Sequence, residues 1–134
     1  MIHSLSRKRN QEIGKEDPRT STIFDALLHL PDRLVWGVIR DACNGNKILP
    51  KDLGTLEAYD FWPEWGAKGT TNECRVEPDV FLRFTGADII VEAKRFDSGG
   101  QDQGQWENEL IAYQNEYGSE KKTAFLIALG GNGN

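Results

Sequence analysis

One hairpin constrains the fold of this chain more than any other feature of its sequence. A Thr85-Gly86 turn signal separates two segments, Arg75–Phe84 and Ala87–Arg95, whose apolar residues are typical of strands. Pairing outward from a two-residue turn places Phe81 opposite Ile90. A three-residue loop with a bulge would shift this register by one residue. The sequence therefore predicts two antiparallel strands whose register depends on the turn.

Three charged side chains meet at the open end of this hairpin. In the two-residue-turn register Asp79 lies opposite Glu92, and opposed residues share a sheet face with Cβ atoms about 4.5–5.5 Å apart. Lys94 follows Glu92 by two residues and lies on the same face. Neighbouring carboxylates repel each other unless a cation such as Mg²⁺ neutralises them. The ammonium of Lys94 can hold a water molecule or stabilise charge on a phosphate, so the pattern indicates metal-assisted phosphodiester hydrolysis. The alternative is an ordinary solvated strand face, since so short a pattern also arises by chance.

Pro78-Asp79 followed by Glu92-Ala93-Lys94 resembles the signature of the PD-(D/E)XK nuclease superfamily, which includes many restriction enzymes and Holliday-junction resolvases. The resemblance implies a core of one helix, three antiparallel strands, a helix and a further strand. It also implies that Asp79 and Glu92 are catalytic metal ligands and that the backbone carbonyl of Ala93 is a further ligand. The implied cofactor is Mg²⁺, with Mn²⁺ as a substitute. Lys94 would be the catalytic residue that orients or activates the attacking water.

Members of this superfamily often add an acid from the first helix to the metal site. Glu16 is the candidate here because it lies just ahead of the Asp17-Pro18 helix start, with Glu12 and Glu57 as weaker candidates. A favourable negative charge at a helix N-terminus explains Glu16 equally well.

Gln105 and Arg95 are the candidate nucleic-acid-binding residues. Gln105 adjoins Trp106, and its amide can donate and accept hydrogen bonds. Arg95 extends a basic pair that begins at Lys94. One branch of the superfamily carries a Gln-x-x-x-Tyr pattern in this helix. In this chain the residue four positions after Gln105 is Glu109, which departs from that branch.

The other predicted elements follow the order of the implied core. Two helices come first, one starting at Asp17-Pro18 and one capped by Asp32, and residues 55–62 form the first strand. A later helix presents one apolar face and is followed by an apolar strand over 124–129. The expected face comprises Trp106, Leu110, Tyr113 and Tyr117. The predicted fold class is α/β (α+β), a restriction endonuclease-like core in which helices flank a mixed four-stranded sheet, in the order ααβββαβ.

Length and composition define the expected setting. The 134 residues predict one domain over 17–129, with a flexible arm over 1–16 and a flexible tail over 130–134. The two cysteines are far apart and no apolar run has membrane length, so we expect a cytoplasmic protein without membrane association. A net charge of −5 is unusual for a nucleic-acid enzyme. Either several acids bind metal, or a homodimer or partner subunit supplies most phosphate contacts.

These observations together predict a Mg²⁺-dependent deoxyribonuclease that acts on duplex or branched DNA in defence, repair or recombination. The alternative is a catalytically silent nuclease-fold module that binds nucleic acid or a protein partner.

Overall fold

In the part of this chain that the structure describes, two helices precede the strands, and a third helix lies between the last two strands. The computed structural model describes residues 18–43, 48–94 and 101–130. The helices are α1 (Pro18–Leu27), α2 (Asp32–Ala42) and α3 (Gln103–Tyr117). The strands are β1 (Leu56–Phe61), β2 (Trp65–Gly66), β3 (Arg75–Val76), β4 (Val80–Phe84), β5 (Asp88–Lys94) and β6 (Ala124–Gly130). The predicted arm and the last four residues of the predicted tail lie outside the described residues, whereas Gly130 ends β6.

A mixed four-stranded sheet forms the centre of the fold. Its strand order is β1–β4–β5–β6, with antiparallel pairing in the first two pairs and parallel pairing between β5 and β6. A tight turn cannot join two parallel strands, and helix α3 supplies the longer crossover that this connection requires. The predicted α/β class and the mixed four-stranded sheet with flanking helices are confirmed.

The hairpin of β4 and β5 has the register expected from a two-residue turn. Arg83 pairs with Asp88 and Phe81 pairs with Ile90. The Phe84 N–H donates to the Ala87 carbonyl at 2.9 Å, which closes the hairpin around the two turn residues. The bulged three-residue alternative is therefore excluded, and the side chains predicted to share a face do so.

The strand predicted over 75–84 is wrong in its extent. It divides into β3 and β4, and Glu77, Pro78 and Asp79 separate them. Pro78 has no N–H to donate and disfavours regular pairing. Strand β3 instead pairs with β2 in a small two-stranded sheet that the sequence did not predict.

The two faces of the main sheet pack against different helices. Residues that alternate along β4 and β5 point to opposite faces, as the period of two requires. One face packs against α1 and α2 in a large apolar cluster that includes Phe24, Trp36, Ile39, Leu82 and Ile89. The opposite face packs against α3 in a second cluster that includes Trp65, Phe81, Ile90, Ala112 and Tyr113. Because Glu92 is two residues from Ile90, it lies on the α3 side of the sheet.

Tertiary contacts alter the predicted helix details. Pro31 precedes α2 without a side-chain cap, and Asp32 is the first helical residue. The Asp32 carboxylate accepts the Leu56 N–H at 2.8 Å instead of capping its own helix. The predicted face of α3 is also partly wrong, because Leu110 is 42 % exposed whereas Glu109 is fully buried.

Candidate active site

Asp79 and Glu92 meet where the pairing of β4 and β5 ends. The last paired residues at this end are Val80 and Val91. Asp79 immediately precedes β4, and its Oδ2 accepts a hydrogen bond from the Ala93 N–H at 2.8 Å. Asp79 is 6 % exposed and Glu92 is 2 % exposed. The fold therefore brings the two predicted acids together at one end of the sheet and removes both from bulk water.

Lys94 extends this pair towards solvent. Its Nζ lies 3.8 Å from Glu92 Oε2, and its side chain is 27 % exposed. Both residues are on β5 and two positions apart, so they share the face that α3 covers. A cation at the mouth of a buried acidic site can contact both the acids and a ligand arriving from solvent.

Gln105 on α3 holds the Glu92 carboxylate. Its Nε2 donates to Glu92 Oε2 at 2.8 Å. Hydrogen bonds to a charged group are shorter and stronger than those between neutral groups, so this contact orients the carboxylate. Gln105 therefore lies in the candidate site, although its expected contact with nucleic acid stays a prediction.

Gln101 joins the ends of β5 and β6 beside the site, a role the sequence did not indicate. Its Nε2 lies within 3.0–3.2 Å of the carbonyl oxygens of Glu92, Leu129 and Gly130. Its Oε1 accepts the indole N–H of Trp106 at 3.0 Å. The side chain thus connects both strands to α3. Only tertiary structure could have revealed this, because glutamines before a helix are also typical of polar linkers.

Glu109 is the acid that the sequence prediction missed. It is fully buried on the inner face of α3. Both of its carboxyl oxygens lack a hydrogen-bond donor partner within the parts of the chain that the structure describes. The same is true of Glu92 Oε1. Two ionised carboxyl groups in contact have no donor between them and repel each other. A shared proton or a shared cation removes that repulsion. The one available signal was Glu109 at the fourth position after Gln105.

The pKa values of both glutamates reflect this crowding. Burial, then the contact with Glu92 and the charge of Asp79, raises the pKa of Glu109 to about 11. Burial is also the main reason that the pKa of Glu92 is raised, and the contact with Glu109 and the charge of Lys94 only partly offset it. Without a bound cation, the site therefore favours a proton on the Glu92–Glu109 pair.

The donor set suits a hard divalent cation. Carboxylate oxygens are the ligands that Mg²⁺ prefers, and it commonly uses one or two of them together with water. Glu92 Oε1 is buried without a donor partner in the described ranges, so it is suited to accept a cation. Among these same ranges, no group of three or more His, Cys, Asp or Glu side chains has the arrangement of a metal centre. The fit therefore rests on Asp79 and Glu92.

The remaining candidates lie elsewhere or cannot be placed. Glu16, Glu12 and Arg95 fall outside the described residues. Glu57 is on β1, where its carboxylate lies 4.0 Å from the Lys122 ammonium and away from the site.

A further buried acid, Asp88, lies four residues before Glu92 on β5 and differs from it in its surroundings. Arg83 donates to both Asp88 oxygens at 3.1 and 3.2 Å. The Tyr113 hydroxyl donates at 2.6 Å, and the Lys122 ammonium lies 3.0 Å away. Asp88 is therefore fully neutralised by protein groups.

Comparisons with known proteins find a similar bacterial protein and do not assign a family. It is 35% identical over 120 residues to the uncharacterized protein PM0110 of Pasteurella multocida (strain Pm70). The match covers 88% of this chain and 43% of that protein, so the chain spans less than half of the relative's length. No family model matches the chain, and no solved structure matches it. None of the helices in the described ranges is long and apolar enough to cross a membrane.

Proposed function

We propose that this chain is a metal-dependent DNA nuclease with a PD-(D/E)XK core. The strand order β1–β4–β5–β6, the helices ahead of β1 and the crossover helix α3 support that assignment. They follow the order of helix, three antiparallel strands, helix and strand that the superfamily resemblance implies.

The observation that carries the proposal is the meeting of Asp79, Glu92 and Lys94 at one end of the sheet. Two of these side chains are buried acids, and the third is a partly exposed amine 3.8 Å from one of them. A purely structural ion pair would not require the second acid, whose charge opposes that of the first. The combination suits a site that binds a cation and a phosphate.

Each residue of the candidate site has a distinct role in the proposed hydrolysis. Asp79 and Glu92 would hold Mg²⁺, together with the carbonyl oxygen of Ala93, and Gln105 holds Glu92 in orientation. When bound, Mg²⁺ neutralises the acids and stabilises the negative charge that develops on the phosphate. Lys94 orients the attacking water with its ammonium group and adds positive charge beside the phosphate. Glu16 is the proposed additional acid from the region preceding α1.

DNA, duplex or branched, is the proposed substrate. The net charge of −5 opposes binding to a polyanion, so we propose that a homodimer or a partner subunit contributes phosphate contacts. Arg95 would add one contact beside Lys94. The free thiols of Cys43 and Cys74 suit a reducing, cytoplasmic location.

The decisive experiment compares cleavage by the full chain and by Lys94→Ala. Circular, linear, branched and single-stranded DNA, and RNA, are incubated with Mg²⁺, Mn²⁺ or a chelator. We expect cleavage of DNA that requires the metal. Loss of one preorganised charge that acts on the transition state costs about 100–1,000-fold in rate, and we expect a loss of that size for Lys94→Ala with unchanged unfolding temperature.

Lys51→Ala is the matched control because Lys51 is exposed and outside the site. It should cleave like the unaltered chain. Metal-dependent cleavage that survives Lys94→Ala would remove Lys94 from the mechanism. Absence of cleavage on every substrate, with DNA binding retained, would favour the catalytically silent module.

A further inference from the structure

Glu109 is a buried acid without a structural explanation. The inner face of α3 buries Ala112 and Tyr113 close to it, and an apolar side chain would fit the same environment. Leu110, the next residue, is instead exposed. A buried carboxylate is unfavourable unless a partner compensates for the lost hydration. Its presence on this face therefore requires a reason other than packing.

The groups that face Glu109 belong to the proposed cation site. Asp79 and Lys94 act on it electrostatically, and Glu92 contacts it directly. Gln105 lies one helical turn earlier on α3 and donates to Glu92. Of these neighbours, two are acids, and the amine of Lys94 is 3.8 Å from Glu92. The protein groups around Glu109 do not neutralise it.

Asp88 shows that the same fold can neutralise a buried acid with its own side chains. Arg83, Tyr113 and Lys122 all contact the Asp88 carboxylate. The two Glu109 oxygens and Glu92 Oε1, by contrast, have no donor partner among the residues described. Three inward-facing oxygens without donors are an environment that a small, highly charged ion satisfies.

We propose that Glu109 is an acidic member of the divalent-cation site, contributed by α3. This inference rests on the proposed function, because it assumes the cation that Asp79 and Glu92 would hold. Cation binding would then link α3 to the ends of β4 and β5. No three acids in the described ranges are arranged as direct ligands, and Mg²⁺ retains several waters, so Glu109 would stabilise the bound ion through a water molecule.

Mn²⁺ binding to the full chain tests the inference without relying on cleavage. Calorimetric titration and thermal unfolding, each with and without Mn²⁺, compare the unaltered chain with Glu109→Gln. Removing an outer acidic partner typically weakens metal affinity about 10–100-fold, and we expect that loss together with a smaller Mn²⁺-induced rise in unfolding temperature. Without Mn²⁺, Glu109→Gln should unfold at a higher temperature because the uncompensated acid is gone.

Two further variants separate site effects from structural ones. Glu107→Gln changes an exposed glutamate of the same helix and should bind Mn²⁺ with unchanged affinity. Glu109→Asp keeps the carboxylate and should retain more Mn²⁺ affinity than Glu109→Gln. If Glu109→Gln does not fold, the Mn²⁺ affinity of Glu109→Asp is compared with that of the unaltered chain instead, and an unchanged affinity overturns the inference.

The outcomes distinguish this inference from the nuclease proposal. Unaltered Mn²⁺ affinity in Glu109→Gln overturns the inference, even if the chain cleaves DNA. Glu109-dependent Mn²⁺ binding supports it, even if no DNA is cleaved. Absence of Mn²⁺ binding by the unaltered chain overturns both the inference and the metal-dependent mechanism, and metal-independent cleavage would then show a nuclease of a different mechanism.

Discussion

Asp88 and Glu92 are two buried acids on one face of the same strand, and α3 covers both. Asp88 is surrounded by donors, with bidentate contact to Arg83 and further contacts to Tyr113 and Lys122. The Glu92 carboxylate accepts a hydrogen bond from Gln105 and faces two further acids and a lysine amine 3.8 Å away.

The Asp88 end and the Glu92 end of β5 differ in electrostatic balance because the side chains around them differ. Burial alone would raise the pKa of Asp88, but hydrogen bonds from Arg83, Tyr113 and Lys122 outweigh it and hold this pKa below its usual range. At the Glu92 end the pKa of Glu109 is raised to about 11. One end is complete as a structural network, whereas the other is complete only with a proton or a cation. The Glu92 end is therefore the one whose charge the protein itself leaves uncompensated, and such an environment is typical of functional sites.

The largest expected effect comes from removing the Asp88 carboxylate from its network with Arg83, Tyr113 and Lys122. Asp88→Ala leaves Arg83 and Lys122 without their shared anion and the Tyr113 hydroxyl without its acceptor. Removing one partner of a buried charge network costs about 3–5 kcal/mol of unfolding free energy. Urea unfolding measures this loss, with Asp41→Ala, an exposed aspartate on α2, as the control. A loss no greater than the control's would show that the Asp88 network does not stabilise the fold.

A smaller effect is expected from removing the hydrogen bond that holds Glu92 at the other end of β5. Gln105→Ala removes the hydrogen bond that orients Glu92, and hydrogen bonds to charged groups contribute about 1.5–3 kcal/mol. We therefore expect the kcat/KM of metal-dependent cleavage to fall roughly 10–100-fold, because each 1.4 kcal/mol is tenfold.

Gln103→Ala is the matched control for this variant, since Gln103 is an exposed glutamine on the same helix that contacts Glu107. Equal cleavage by Gln105→Ala and the unaltered chain would show that Glu92 needs no support from α3.

The effect that is smallest per pH unit is the opposite response of the two ends of β5 to pH. The lowered pKa of Asp88 stabilises the fold above the ordinary value of 3.8, and this stability is lost as the pH falls below that value. The raised pKa of Glu109 acts in the opposite sense: its stabilising contribution is present below the ordinary value of 4.5 and is lost as the pH rises towards about 11.

Chelator-treated protein tests both responses through unfolding free energy measured from acid to alkaline pH. In the unaltered chain the unfolding free energy should decline above pH 5, and Glu109→Gln should flatten that decline. Because one proton is involved, the slope is at most about 1.4 kcal/mol per pH unit. Asp88→Asn should flatten only the acid limb. A single profile shared by both variants and the unaltered chain would contradict the contrast between the two ends.

The hairpin shows how far pattern alone could predict this fold. The turn at Thr85-Gly86 and the apolar segments beside it correctly predicted the pairs Arg83–Asp88 and Phe81–Ile90. Local turn geometry sets the register, and a period of two then places Asp79, Glu92 and Lys94, so no long-range information was needed.

The inner face of α3 shows where pattern failed. Hydrophobicity placed Leu110 inside, whereas the helix buries Glu109 and exposes Leu110. Hydrophobic periodicity assumes that a buried position favours an apolar side chain. That assumption fails where a buried acid faces another acid across the interface between a helix and a sheet.

The sequence by itself determined the order of the helices and of the four strands of the main sheet, the hairpin register and the positions of three candidate-site residues, because these depend on turn chemistry and on the alternation of neighbouring side chains. Tertiary structure alone decided the surroundings of each acid. It placed donors around Asp88, and it brought Gln105 and Glu109 from α3 and Gln101 from the segment before it to the Glu92 end. The physical reason is that an acid's electrostatic environment is set by groups distant along the chain, which only the docking of a helix on the sheet brings near.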